Sequence, residues 1–175
     1  MNPFVIDFAG GMETKGVCVG SKRLNICLVC SHGGHLNEME QILSAFEGHR
    51  VFYFCYDADT TRRLPTAYLV PNMAKNPVEM FKNFFRVARI FRKERPDLIV
   101  STGAEIAIPA VLVGKLFRIP SLYIECGAQV KTPSFTGRLM YWLATEFYVQ
   151  WPELLAVYGP RARFEGSLID EAPRS

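Results

Sequence analysis

Asn25-Ile26-Cys27-Leu28-Val29-Cys30, followed at once by Ser31-His32-Gly33-Gly34-His35-Leu36, is the stretch that decides the fold. After Asn25 five apolar residues run without alternation, which is the pattern of a strand buried on both faces. The chain then turns through two glycines into segment 37–46, where Met39, Ile42, Leu43 and Phe46 recur at helical spacing. A doubly buried strand leading into an amphipathic helix is the opening of a β-α-β unit.

The same alternation continues downstream. Apolar runs at 51–55, 98–101, 121–124 and 147–149 read as strands, 67–70 as a short strand, and 163–165 as a last strand or the exit from the domain. Between them Asn76 is a good N-cap and Pro77 suits a first helical position, so a helix runs to about Glu94, where Pro96 blocks continuation. Further helices fall at 108–117, 136–144 and 152–158. Strands alternating with helices predict an α/β domain, a doubly wound parallel sheet of Rossmann-like type.

Length and composition agree with one such domain. The chain has 175 residues, 49 % of them apolar and 21 % charged, which excludes intrinsic disorder. A domain at 24–170 is expected, preceded by a mobile extension at 1–23 that carries Gly10, Gly11, Gly16 and Gly20. A net charge of +3 is too mild to argue for a nucleic-acid partner. No apolar run approaches the ~20 residues that span a bilayer, and Phe4–Ala9 lacks the basic flank of a signal peptide. Five cysteines, several inside strand-like runs, read as buried free thiols of a reducing compartment. Cys27 and Cys30 have Cys-x-x-Cys spacing, but residues three apart on a strand face opposite ways, so no metal site is expected.

Polar residues cluster directly after strands: Ser31-His32-Gly33-Gly34-His35, Thr102-Gly103-Ala104-Glu105, Glu125-Cys126-Gly127-Ala128-Gln129 and Gln150-Trp151-Pro152-Glu153. In a parallel sheet these loops share one edge, the usual ligand crevice of doubly wound folds. Gly33-Gly34 lets backbone approach a ligand, and the following helix offers free N–H groups, so Ser31 to Gly34 form a candidate anion or phosphate site. Neither the NTPase nor the dinucleotide-binding glycine pattern is present. His35, at the helix start where the dipole favours the uncharged ring, is a candidate base or hydrogen-bond partner; a capping role is the alternative. Glu105 and Glu125 suit either general-base work and sugar hydroxyls or helix capping. Trp151 suits either a platform under a sugar ring or ordinary core packing.

The segment 78–95 (VEMFKNFFRVARIFRKER) places Phe81, Phe84, Phe85, Ala88 and Phe91 on one helical face and Lys82, Arg86, Arg89 and Lys93 beside it. A basic amphipathic helix with aromatics fits a membrane-surface element, with Phe84 or Phe85 near the rim exposed; a core-covering helix with a solvated basic face is the alternative.

Five blocks together carry a family resemblance: 28–36 (LVCSHGGHL), 95–104 (RPDLIVSTGA), 119–125 (IPSLYIE), 131–141 (KTPSFTGRLMY) and 147–154 (FYVQWPEL). Over about residues 24–168 the chain resembles the ALG-fourteen-like family of oligosaccharide and polysaccharide biosynthesis proteins. It is more distantly similar to the N-terminal half of the lipid II-forming transferase of peptidoglycan synthesis. The resemblance implies the acceptor-side half of a GT-B glycosyltransferase split over two chains. A partner chain similar to the C-terminal half would hold most of the UDP-sugar. The acceptor would be a polyprenyl-diphosphate-linked saccharide, and transfer would be inverting, with no cofactor and no metal. It implies His35 and Glu125 as catalytic residues and Ser31, His32, Gly33 and Gly34 around the lipid diphosphate. Thr102, Gly103, Glu105, Gln150, Trp151 and Glu153 would line the cleft. His32 stands where the family often has a small residue, which leaves open which of His32 and His35 is relevant. Without an N-terminal membrane anchor, peripheral attachment at the cytoplasmic face would rest on the basic helix (Phe84, Phe85, Lys82, Arg86, Arg89, Lys93) and on partners. The expected protein is thus a transferase subunit, inactive without its partner, with a non-catalytic scaffold that recruits a catalytic chain as the alternative.

Overall fold

The computed structural model describes residues 23–72 and 76–168. Residues 1–22, which hold nearly all of the expected extension, and 169–170 of the expected domain lie outside the described residues.

Seven strands form a single sheet: β1 (Asn25–Cys30), β2 (Arg50–Tyr56), β3 (Ala67–Val70), β4 (Leu98–Ser101), β5 (Ser121–Ile124), β6 (Glu146–Val149) and β7 (Ala162–Phe164). All pairings are parallel, and the order is β3-β2-β1-β4-β5-β6-β7. The direction of winding reverses beside β1, so the crevice between β1 and β4 is the topological switch point of the sheet. The doubly wound Rossmann-like reading is borne out, and the last strand is present.

Helices α1 (Gly34–Gln41), α2 (Pro77–Glu94), α3 (Ala107–Leu116), α4 (Phe135–Leu143) and α5 (Glu153–Tyr158) complete the alternation. On one face Leu36, Met39 and Ile42 pack on Leu28, Cys30 and Cys55. On the other, Val87 and Phe91 of α2 and Ala110 and Val113 of α3 pack on Cys27, Val29, Phe52 and Ile99. Cys27 and Cys30 therefore do face opposite layers, and Cys27, Cys30 and Cys55 are buried free thiols.

Two expectations are corrected. The first helix starts at Gly34 instead of residue 37 and gives way to a 3₁₀ turn at Leu43–Phe46. Gly33 adopts φ 73° and ψ −134°, a conformation closed to side-chain-bearing residues, and this lets the helix begin immediately behind it. On α2 the face toward the core is Met80, Phe84, Val87 and Phe91, with Asn83 buried beside them. Phe81 (66 % exposed) and Phe85 (59 %) point outward, stacked edge to face at 5.0 Å, next to the basic row. Asn76 caps α2 as expected, its side chain accepting from the Val78 and Glu79 amides.

Candidate functional site

The β1–α1 turn supplies the open end of the crevice. Gly33 and Gly34 are exposed, and a Cβ built on either would meet nothing within 4 Å. No side chain caps α1 and its first turn has no acidic residue, so its leading N–H groups face outward for an anion. Ser31 lies buried behind the turn with its hydroxyl donating to the His32 carbonyl, and His32 is exposed.

His35 is half-buried and held from both sides by the β4–α3 loop. Its Nδ1–H donates to the Thr102 carbonyl (2.9 Å), and the Thr102 hydroxyl donates to the His35 carbonyl (2.6 Å). A carbonyl only accepts, so the proton of a neutral ring sits on Nδ1 and Nε2 carries the lone pair. Gly103 (φ 122°) makes room for the ring; a Cβ there would sit 2.7 Å from His35 Cε1. The structure thus gives His35, not His32, a fixed tautomer.

One turn along α1 stands Glu38, which the sequence reading passed over. It is 94 % buried by the complement of its 6 % exposure, and one carboxyl oxygen accepts from the Gly127 amide (3.0 Å) and the Cys126 thiol (3.5 Å). Burial raises its pKa above the ordinary value, opposed by the Gly127 amide, the neighbouring His35, the Cys126 thiol and the Gln150 amide. Donor atoms of His35, Glu38 and Cys126 lie within 4.8 Å of one another, close enough to hold a cation. The Cys126 thiol is pushed up to about 11, chiefly by burial, and so stays protonated at neutral pH. The i, i+3 spacing of His35 and Glu38 was the available signal.

Glu125 is placed differently from expectation. It is fully buried, and its carboxyl oxygens accept from the Cys126 amide (2.9 Å), the Ser134 hydroxyl (2.9 Å), the Ser134 amide (3.3 Å) and the Tyr158 hydroxyl. Ser134 in turn caps α4, accepting from the Gly137 amide at 2.7 Å. Burial, then the bond to Glu125, holds the Tyr158 phenol well above its usual pKa. A Cβ on Gly137 would fall 1.8 Å from the Glu125 carboxyl, so the helix backbone itself closes the pocket around this side chain. Every acceptor position faces protein, and none reaches the crevice.

The last loop braces the site more than it lines it. Gln150 is 1 % exposed, donates to the Glu125 carbonyl (3.0 Å) and accepts from the Leu168 amide (2.8 Å). Trp151 is half-buried and its indole N–H donates to the Gly127 carbonyl at 2.6 Å. The backbone of Gly127 is therefore held on both sides of its Cα, by Glu38 on its N–H and Trp151 on its C=O. Glu153 is exposed in the first turn of α5, where its charge suits the helix start. Glu105 is half-buried and lies apart from His35, in the wall of a hollow between α2, α3 and α4. Gly33, Gly34, His35, Thr102 and Gly103 thus come together with Glu38, Cys126 and Gly127, whereas Glu105, Glu125 and Glu153 do not join them.

The chain matches the family model described as "Oligosaccharide biosynthesis protein Alg14 like" over residues 72–168, more than half of its length. It is 25 % identical to the UDP-N-acetylglucosamine transferase subunit ALG14 of Saccharomyces cerevisiae, covering 93 % of this chain and 85 % of that one. It is 27 % identical to the UDP-N-acetylglucosamine–N-acetylmuramyl-(pentapeptide) pyrophosphoryl-undecaprenol N-acetylglucosamine transferase of Staphylococcus aureus, covering 90 % of this chain but 45 % of the relative. Among solved structures, Acinetobacter baumannii MurG superposes with TM-score 0.59 at 19 % identity, over 74 % of this chain and 42 % of that one. The UDP-N-acetylglucosamine 2-epimerase of Rickettsia bellii gives 0.66 at 14 % identity, over 84 % and 46 %. These two share the fold, and the chain spans about half the length of each full-length protein. The curated relatives are glycosyltransferases or their subunits, and the expected family and fold are borne out.

Proposed function

The chain belongs to the Alg14-like family of oligosaccharide biosynthesis proteins, and from that premise we propose that it is the acceptor-side subunit of a two-component glycosyltransferase. The acceptor is a saccharide on a polyprenyl diphosphate. The donor is a UDP-sugar, bound mainly by a partner chain that resembles the other half of a GT-B enzyme. One observation carries the reading: an uncapped helix start behind Gly33-Gly34, open in front, beside a histidine whose Nδ1 is fixed by Thr102.

The chemistry follows from that arrangement. The leading N–H groups of α1 and the helix dipole hold the lipid diphosphate. With Nδ1–H bound to the Thr102 carbonyl, the lone pair of His35 sits on Nε2. The acceptor hydroxyl attacks the anomeric carbon, the bond to UDP breaks, and the hydroxyl proton passes to His35 Nε2. The transfer is inverting and draws on neither a metal nor a further cofactor. Glu125 acts at one remove, by fixing the loop and the start of α4.

Attachment to the cytoplasmic face of a membrane is peripheral. Among the described residues no helix is long and apolar enough to cross a bilayer. Val78, Phe81 and Phe85 of α2, Leu112 and Leu116 of α3, and Phe135 and Trp142 of α4 are exposed on three helices packed side by side. Lys82, Arg89, Lys115 and Arg138 are exposed among them, a composition suited to anionic head groups over an apolar boundary. Within the row Glu79 pairs with Lys82 (2.7 Å) and Arg86 (3.1 Å), and Lys93 donates to the Tyr68 hydroxyl; Phe84 packs inward on the core.

The test is reconstitution of the chain with its donor-binding partner, followed by transfer from UDP-N-acetylglucosamine to a polyprenyl-diphosphate saccharide. Activity that needs both chains and collapses with His35→Ala is the expected result. Full activity of His35→Ala in an intact complex would replace this reading by the scaffold one, which has the closed setting of Glu125 in its favour.

A further inference from the structure

Glu38 carries a polar atom that the rest of the fold does not satisfy. The side chain is only 6 % exposed. Its Oε1 accepts from the Gly127 amide and the Cys126 thiol, whereas its buried Oε2 has no hydrogen-bond partner. The nearby Gln150 amide is turned to the Glu125 carbonyl instead. A buried carboxylate oxygen without a donor is costly, and in a native fold such an atom calls for a proton, a water or a cation. Two further ligand types stand beside it: donor atoms of His35, Glu38 and Cys126 all lie within 4.8 Å of one another.

We infer that His35 Nε2, the Glu38 carboxylate and the Cys126 sulfur bind one divalent cation of the zinc type, and that its binding is inhibitory because it takes the lone pair of the base; this second half rests on the function proposed above. Imidazole, carboxylate and thiolate together make a zinc ligand set, whereas magnesium and calcium take oxygen donors. Three protein ligands leave the fourth tetrahedral position to solvent. The fold supplies the supports that such ligands need. The Thr102 carbonyl takes the Nδ1–H and so leaves the lone pair on Nε2, and the Gly127 amide orients the carboxylate. Cys126 Sγ and Glu38 Oε1 already stand 3.5 Å apart, close to the separation of two ligands on one zinc ion. His35 and Cys126 are half-buried, so an ion reaches them from the crevice. The Cys126 thiol, protonated at neutral pH, gives its proton to solvent as the metal–sulfur bond forms. With Nε2 on the metal, His35 no longer accepts the proton of an acceptor hydroxyl.

The experiment titrates the full, reduced, metal-free chain with Co²⁺ and then displaces it with Zn²⁺. One equivalent of Co²⁺ is expected to give a thiolate-to-cobalt charge-transfer band and the intense visible bands of four-coordination. Cys126→Ser is expected to abolish the charge-transfer band. His35→Ala and Glu38→Gln are each expected to weaken Zn²⁺ binding by more than ~100-fold, beyond the loss typical of an outer partner. Cys18→Ser and His32→Ala are expected to change neither readout. X-ray absorption of the zinc-loaded wild type is expected to show one sulfur at about 2.3 Å among nitrogen and oxygen neighbours, a result that needs no variant to fold. In the reconstituted pair, saturating Zn²⁺ is expected to lower turnover by about 10²–10⁴-fold, as loss of the base does, with recovery on chelation. The Cys126→Ser pair is expected to keep its turnover in Zn²⁺. The site is overturned by the absence of a one-equivalent complex, by a zinc shell without sulfur, or by a charge-transfer band that survives Cys126→Ser. The inhibitory role is overturned by zinc bound at this site with turnover unchanged, or by a Cys126→Ser pair as sensitive as wild type. A pair that transfers no sugar before Zn²⁺ is added would count instead against the acceptor-side reading, and the Co²⁺ titration would still decide the site.

Discussion

The β1–α1 turn and the β5–α4 loop leave the same edge of the sheet and each carries one residue suited to proton transfer, yet they are built to opposite ends. In the first, His35 has one ring nitrogen committed to Thr102 and the other left over, beside glycines with empty space in front. In the second, Glu125 is enclosed by its own loop, the cap of α4 and Tyr158, with its carboxyl oxygens occupied. Residue type and position along the sheet edge are the same kind of evidence for both. What separates them is how many of their polar atoms the fold has already used.

The largest effect that tests this contrast is on catalysis at the open turn. In the reconstituted pair His35→Ala should lower turnover by about 10²–10⁴-fold, the span of a general base, with a urea midpoint close to wild type. The closed loop should behave in reverse. Glu125→Gln places an amide N–H among donors that need acceptors and should cost roughly 3 kcal/mol in urea unfolding, while turnover per folded molecule stays within a few-fold. An equal loss of turnover in Glu125→Gln at full stability would break the comparison. Ser134→Ala, which removes the α4 cap and one ligand of Glu125, should cost about 1–2 kcal/mol and again spare turnover.

The smallest effect lies on the bridge between the two regions. Burial holds the Glu38 carboxyl above its ordinary value of 4.5. The native chain therefore keeps that proton better than the unfolded one, and stability falls as pH rises through the interval above 4.5. Glu38→Gln should flatten that fall in thermal melts recorded from pH 4.5 upward. A slope unchanged in Glu38→Gln would assign it to other groups.

The alternation of doubly buried strands and helices was legible because each strand run is continuous and each break carries glycine or proline, so the sheet and its crowded edge followed. The start of α1 at Gly34 was not, because it depends on Gly33 taking a backbone conformation that spacing does not reveal. On α2 the aromatics read as one face, but Phe81 and Phe85 lie a step away from the Met80–Phe84–Val87–Phe91 stripe, and only the position of α3 decides which stripe is covered. Glu38 was hidden by the opposite difficulty: a glutamate in mid-helix reads as solvated until Gly127, distant in sequence, arrives as its donor. Glu125 drew notice by type, and its enclosure by Ser134 and Tyr158 is a tertiary fact.

The double hold on Gly127 has a consequence for how any ligand is received. With its N–H on Glu38 of α1 and its C=O on Trp151 behind β6, that residue is tied at two points to the framework around it, although it lies in a loop. Its amide hydrogen should exchange as slowly as those of the strands. A molecule entering the crevice meets a wall whose freedom was lost during folding, so little ordering entropy remains to be spent on association.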